Sequence, residues 1–197
     1  WPISFFSFED LRLFFSLVLI AISCIIMGAG IPTTATYIIL VAVAAPALAQ
    51  LGIEPLVAHF FVFYYGVLAD ITPPVALAAY AASGIAKSNP FKTGNTAFRL
   101  GIAKALVPFV FVYSPSLLLI TGEFQTNQLI ITLIGTLIGI ALIGIAFSGY
   151  WFRTLRKYEQ IIIGIGSLFF VAPGIKSMVF GLLIILPMLF LQFLKKN

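Results

Sequence analysis

Charge is scarce in this sequence. Aspartate, glutamate, lysine and arginine make up 9% of its 197 residues, against about 25% in soluble domains. No charged residue occurs between Arg12 and Glu54, nor from Phe124 to Phe152. Runs of roughly 18 or more apolar residues with few charges are read as membrane spans. With apolar residues at 61% and a mean hydropathy of +1.15, the chain reads as an all-α integral membrane protein, a polytopic helical bundle.

Cysteine and histidine are almost as scarce. The single Cys24 excludes an intrachain disulfide and, inside an apolar stretch, reads as packing. The single His59 precedes Asp70 by eleven residues, about 16 Å along a helix axis, so the two cannot form an acid–base dyad. It reads as a packed or interfacial residue. No HExxH pattern and no cluster of acids occurs, which leaves a membrane-embedded enzyme without its chemistry. The net charge of +5 is no nucleic-acid signature, because the basic residues fall in short groups between apolar runs, as cytoplasmic loops do. The first residues, WPISFF, lack a methionine and the pattern of a cleavable signal; the chain reads as a piece of a longer polypeptide or as a processed one.

What is abundant is apolar length, and it separates into segments. The first runs from Leu11 to Met27 and stops at GAGIPTT; the second runs from Ala35 to Gln50. A third, Leu56 to Ala86, contains VLADITPPVALAAY. After the polar stretch KSNPFKTGNTAFR a fourth runs from Leu100 to Ile120, and a fifth from Leu129 to Phe152. The last pair, Ile161 to Ala172 and Met178 to Leu194, is split by PGIKS. The stretch from Lys87 to Lys104 is basic, as are RTLRKYE and the Lys195–Lys196 end, whereas QLGIEP and TGEFQTNQ hold no basic residue. The basic loops are therefore expected in the cytoplasm and the others outside. The spacing Gly135, Gly139, Gly144 is a helix-contact pattern.

Two interruptions stand out. The first two segments rise only about 25 Å each against a hydrocarbon core of about 30 Å. Their connection also lacks the lysine, asparagine or aspartate of an aqueous loop. The two segments could span thinly as two helices, but the apolar connection favours a re-entrant hairpin over 11–50, with its tip at GAGIPTT, and that is the expectation. The third segment is too long for one plain helix and carries two adjacent prolines, which lack an N–H and begin a helix more easily than continue one. A discontinuous helix over 55–86 is expected, broken at ADITPP near the bilayer midplane, with Pro73 and Pro74 opening its second half.

Non-helical backbone at membrane depth is tolerated only around protein or a water-filled cavity. The N-terminal ends of the second halves can hold an anion, and unpaired carbonyls at the ends of the first halves can hold a sodium ion. Thr33, Thr34 and Thr72 add hydroxyls, though the first two could simply cap a helix. Gly28 and Gly30 could serve the turn alone. Asp70 adds a negative charge; it could pair with a basic residue, but an intramembrane carboxylate is a functional candidate. Sodium is expected at Gly28, Thr34, Asp70 and Thr72. Broken helices aimed at the midplane are the architecture of secondary transporters.

The stretches GAGIPTTATYIILVAVAAPAL, PLVAHFFVFYYGVLADITPPVALAAYAASGIA and TAFRLGIAKALVPFVFVYSPSLLL closely resemble the large permease component of TRAP transporters, best the fused-permease branch that works with TAXI-type periplasmic binding proteins. The resemblance covers about residues 10 to 120. It implies a secondary transporter of the bacterial or archaeal inner membrane that uses a sodium gradient to import organic anions such as carboxylates, delivered by a periplasmic substrate-binding protein. It also implies two inverted repeats, each with a hairpin and a broken helix. The residues matching the family's hairpin tip are Gly28, Gly30, Pro32, Thr33 and Thr34; those matching its broken helix are Asp70, Thr72, Pro73 and Pro74.

One such unit is present, so the chain would be one inverted-repeat half of an ion-transporter fold; with the hairpin opening outward, as the loop charges suggest, it would be the second. Its transport unit would be residues 1–120 (hairpin 11–50, broken helix 55–86, helix 100–120), with additional transmembrane helices over 121–197. The expected partners are the binding protein, the first repeat and small-permease region, the bilayer and the anion; no nucleic acid and no cofactor beyond the coupling sodium are expected. The alternative is a structural or channel-forming subunit without its own substrate site, which an unbroken helix over 56–86 would favour.

Overall fold

The computed structural model describes residues 8–119, 126–172 and 174–194, with side chains described for 11–192 of these. Among the described residues the structure is helical, and the isolated bridge Tyr150↔Thr154 is its only β pairing. Five segments are long and apolar enough to cross a membrane: Leu11–Gly28, Thr33–Gln50, Pro90–Tyr113, Thr126–Ser148 and Ile175–Gln192. The chain forms two compact units, one up to Phe98 and one from Arg99 onward.

In the first unit α1 (Phe8–Gly28), α2 (Thr33–Gln50) and α3 (Pro55–Ala69) pack against one another. Helix α2 buries Thr36, Leu40, Ala44 and Leu48, a stripe at every fourth residue that puts one face inward. Helix α3 starts at Pro55, where the missing N–H costs nothing, and buries Val57, Ala58, Phe61, Val62, Tyr65, Gly66, Leu68 and Ala69, leaving Leu56, Phe60 and Phe63 exposed along one stripe. It is the central element of this unit. Cys24 is buried and free, in keeping with packing. Leu19, Ile26, Ile38 and Val43 are between 60% and 68% exposed, which in water would be costly and in lipid is not.

After α3 the helix stops at Ala69 and resumes at Leu77 as α4 (Leu77–Ile85). The helix α5 (Pro90–Gly101) follows and corrects the sequence expectation of a polar loop there. Asn89 caps it: its Oδ1 accepts the Lys92 N–H at 3.0 Å, its carbonyl accepts the Thr93 N–H at 3.0 Å, and Pro90 is the first helical residue. The expected single helix Leu100–Ile120 is instead the end of α5, a 3-10 helix Ile102–Leu106, α6 (Val107–Tyr113) and a second 3-10 helix Pro115–Leu118. Pro108 and Pro115 each remove a donor and set a new start.

The second unit is built on α7 (Thr126–Ser148), α8 (Lys157–Val171) and α9 (Ile175–Leu194). Small residues let these helices approach closely. A Cβ at Gly135 would fall 2.7 Å from the Phe170 carbonyl, and one at Gly139 2.6 Å from Val171 Cγ2. Gly144 faces open space, so the glycine pattern works at two of its three positions. Leu142, Ala146, Leu155, Ile163, Phe170 and Ile185 form the core. Helix α7 ends four residues before the expected Phe152 because Gly149 turns left-handed, φ +74, and its carbonyl accepts the Leu155 N–H at 2.8 Å. The expectations for TGEFQ, for Pro173 of PGIKS and for Lys195–Lys196 fall outside the described residues.

The loop before α8 holds an ion pair that the basic pattern RTLRKYE concealed. Glu159 is 2% exposed and accepts from both terminal guanidinium nitrogens of Arg153, at 2.6 and 3.2 Å, and from the Arg156 N–H at 2.7 Å. Burial alone would push its carboxyl up, but these donors and the nearby guanidinium charges hold it below the usual glutamate range. A carboxyl lowered on folding adds stability above its unfolded pKa, and that stability is lost as pH falls through the folded value. Glu159→Gln is therefore expected to lower stability by about 2 kcal/mol at neutral pH. The gap between the two proteins should close on acidification in thermal unfolding of the detergent-solubilised protein; a gap independent of pH would contradict the role given to the charge.

Candidate functional site

The two sequence-predicted interruptions meet in the first unit. At the α1–α2 connection, Gly28 ends α1 and Gly30 adopts φ +86, a conformation that glycine alone takes without cost. Gly28 is buried so tightly that a Cβ there would lie 2.9 Å from Thr36 Cγ2, 3.0 Å from Ala69 Cβ and 3.7 Å from the Gly66 carbonyl. A Cβ at Gly30 would lie 3.6 Å from Val75 Cγ1. The GAGIPTT turn thus rests on the last turn of α3 and on the residue that follows Pro74.

Thr36 locks this contact, and the sequence reading passed over it. It is 1% exposed, its Oγ1 donates to the Ile31 carbonyl at 3.1 Å, and its methyl wedges between Gly28 and Gly66. The available signal was its position one turn after Thr33, facing the glycine side of the connection. Thr33 and Thr34 behave differently. Pro32 is the N-cap of α2 and makes no side-chain cap bond, so the threonines are the first two helical residues and neither caps. Thr33 is half-buried and Thr34 exposed, and neither hydroxyl has a partner among the described residues.

Residues 70–76 form a compact turn. The Asp70 carbonyl accepts the Ala78 N–H at 3.1 Å, the Thr72 carbonyl accepts the Ala76 N–H at 3.1 Å, and the Tyr80 hydroxyl donates to the Pro74 carbonyl at 2.7 Å. The Pro73–Pro74 peptide is cis, and Ala76, fully buried, has φ +34. This corrects two expectations. Pro73 and Pro74 do not open α4; they sit in the turn, and α4 begins three residues later. The carbonyls ending α3 are not unpaired either, since those of Val67, Leu68 and Ala69 accept the N–H groups of Asp70, Ile71 and Thr72 at 3.3, 3.2 and 3.1 Å.

Oxygen atoms remain available. The Asp70 side chain is half-buried and its carboxylate has no hydrogen bond or ion pair among the described residues, so the structural pairing allowed by the sequence is not made. The Thr72 hydroxyl donates to the Leu68 carbonyl at 2.7 Å, which leaves its oxygen lone pairs free to accept. His59 stands apart, bonded through Nδ1 to the Tyr37 hydroxyl at 2.7 Å, as a packed residue. No group of three or more histidine, cysteine or acidic side chains could hold a metal ion among the described residues.

A family model for the DctM component of the tripartite ATP-independent periplasmic transporter matches residues 7–126, more than half of the chain. The chain belongs to the DctM family. Curated proteins and solved structures give no match. DctM proteins are transporter permeases, not enzymes, and the apolar helices of this DctM chain fit a membrane component of such a transporter. Both interruptions and α3 lie inside the matched span; α8, α9 and all but the first residue of α7 lie beyond it.

Proposed function

We propose that this chain is the second-repeat half of a sodium-coupled TRAP permease of the TAXI-type fused branch. It would work in the bacterial or archaeal inner membrane, importing organic anions such as carboxylates handed over by a periplasmic binding protein. In this reading α1 and α2 form a re-entrant hairpin, α3 and α4 are two halves of one interrupted crossing, and residues after 121 add peripheral helices. The first repeat and a small-permease region complete the transporter.

The observation that carries the reading is an aspartate without a counter-charge among the described residues, beside a helix break that a second break packs against. A carboxylate so placed needs a cation. Sodium would take oxygen from Asp70, from Thr72 and from the tip at Gly28 and Thr34. The anion would face the first turn of α2, where Pro32 supplies no side-chain cap, so the N–H groups behind Thr33 and Thr34 are open to it. Gly30, Pro32, Pro73 and Pro74 shape the two turns that face each other.

The test is uptake by the complete permease in proteoliposomes with its binding protein. An inward sodium gradient should drive accumulation of a radiolabelled carboxylate, and an equal potassium gradient should not. Thr34→Ala should raise the sodium concentration for half-maximal uptake about tenfold, the loss of one oxygen contact to a charged partner. Equal uptake with potassium would end the sodium assignment, and an unchanged Thr34→Ala would remove the tip from the site.

A further inference from the structure

Beyond the family match, the second unit carries a furrow with no part in the proposed transport site. It occupies about 620 Å³ between the last turn of α7 and the first three turns of α8. One end is basic. Arg99 lines it and donates from its guanidinium to the Phe147 carbonyl at 2.9 Å, which fixes the group and leaves most of its five N–H donors available. Lys157 lines the same end, is exposed, and has no hydrogen bond or ion pair among the described residues. Among the described residues no acidic side chain lines the furrow, and nearby Glu159 is already held by Arg153 and Arg156.

Apart from Gln160, whose amide nitrogen donates to the Leu155 carbonyl at 3.3 Å, the rest of the furrow is apolar and open. From Lys157 to Leu168 it follows α8 for about 16 Å. Its floor is made by the small residues Ala146 and Gly164: a Cβ added at Gly164 would meet only Ala146 Cβ, at 3.9 Å. Ile161, Ile165, Leu168 and Phe147 border it and are 62%, 49%, 48% and 40% exposed. A basic end continued by an exposed apolar trough matches one kind of molecule, an amphiphile with an anionic head. A zwitterionic lipid brings its own cation beside the phosphate and so offsets less of the charge of Arg99 and Lys157, and an apolar protein helix offsets none of it.

We propose that this furrow binds one anionic phospholipid, its phosphate between Arg99 and Lys157 and one acyl chain lying over Gly164 along Ile161, Ile165 and Leu168. Native mass spectrometry of the whole protein, with phosphatidylglycerol and phosphatidylcholine of equal chain length supplied together, tests it. The wild type should retain one phosphatidylglycerol in preference. Lys157→Gln should cut that preference about fivefold and Arg99→Gln/Lys157→Gln about 30-fold, from the attraction of each cation for an anionic head. Gly164→Leu fills the trough and should abolish retention of both lipids. Lys157 is exposed and without partners among the described residues, so its variant decides the matter even if the others fail to fold. Equal retention of the two lipids by the wild type, or an unchanged preference in Lys157→Gln, overturns the proposal. So does an unchanged lipid count in Gly164→Leu accompanied by loss of a co-purifying transporter subunit, which would assign the furrow to a protein helix.

Discussion

Asp70→Asn is expected to lower sodium affinity about 100-fold, the order of one charge-assisted contact of ~3 kcal/mol. Sodium-driven uptake should collapse at concentrations that saturate the wild type. The substitution keeps size and shape and removes the formal charge. Because the Asp70 carboxylate has no partner among the described residues, no internal ion pair is broken, and the backbone bond from the Ala78 N–H to the Asp70 carbonyl is untouched. The sodium-free protein should therefore unfold at the same temperature as the wild type or a higher one, since an uncompensated charge has been taken from an apolar setting. Sodium should raise the unfolding temperature of the wild type and not that of the variant, by linkage. A variant that loses stability without sodium, or that keeps its sodium dependence, would show that Asp70 shapes the turn and does not hold the ion.

The second large effect is expected at Gly28. A valine there would place its Cβ 2.9 Å from Thr36 Cγ2 and 3.0 Å from Ala69 Cβ, and its two methyl groups would need further room beside the Gly66 carbonyl. Overpacking of this kind costs about 1–3 kcal/mol, and here the strain is relieved by moving the α1–α2 turn off α3. Uptake should fall to background with a detectable loss of thermal stability. Gly28→Ala should show a smaller loss, and adding Thr36→Ser, which removes the methyl in the way, should restore part of it. Additive effects of the two changes would mean that Gly28 and Thr36 are not coupled. Gly28 thus acts by contact, whereas Gly30 acts through its backbone, with φ +86.

Much of this was legible in the residues. The GAGIPTT and ADITPP segments interrupt helices because glycine permits a left-handed backbone and proline lacks a donor, facts that hold in any environment. Helix ends were legible to within a few residues where such signals stand alone. They were missed where a later contact competes. Pro73 and Pro74 can open a helix, but bonds from Ala76 to Thr72, Ala78 to Asp70 and Tyr80 to Pro74 fold them into a turn first. Polar KSNPFKTGNTAFR concealed α5, although Asn89–Pro90 is a helix start in plain view. Glu159 was hidden among cations because a count of charges does not say which of them are buried together.

By itself the sequence determined the medium and the breaks: charge too sparse for water, apolar runs long enough for lipid, and two turns that no helix can pass through unbroken. Tertiary structure alone decided that these turns touch, through Gly28 on Ala69 and Gly30 on Val75, and that Asp70 is left without a partner among the described residues while Glu159 is not. The reason is physical. Composition and local propensity act along the chain, whereas contact between residues some forty positions apart depends on how α1, α2 and α3 pack, and the pairing of a charge depends on which neighbours that packing supplies.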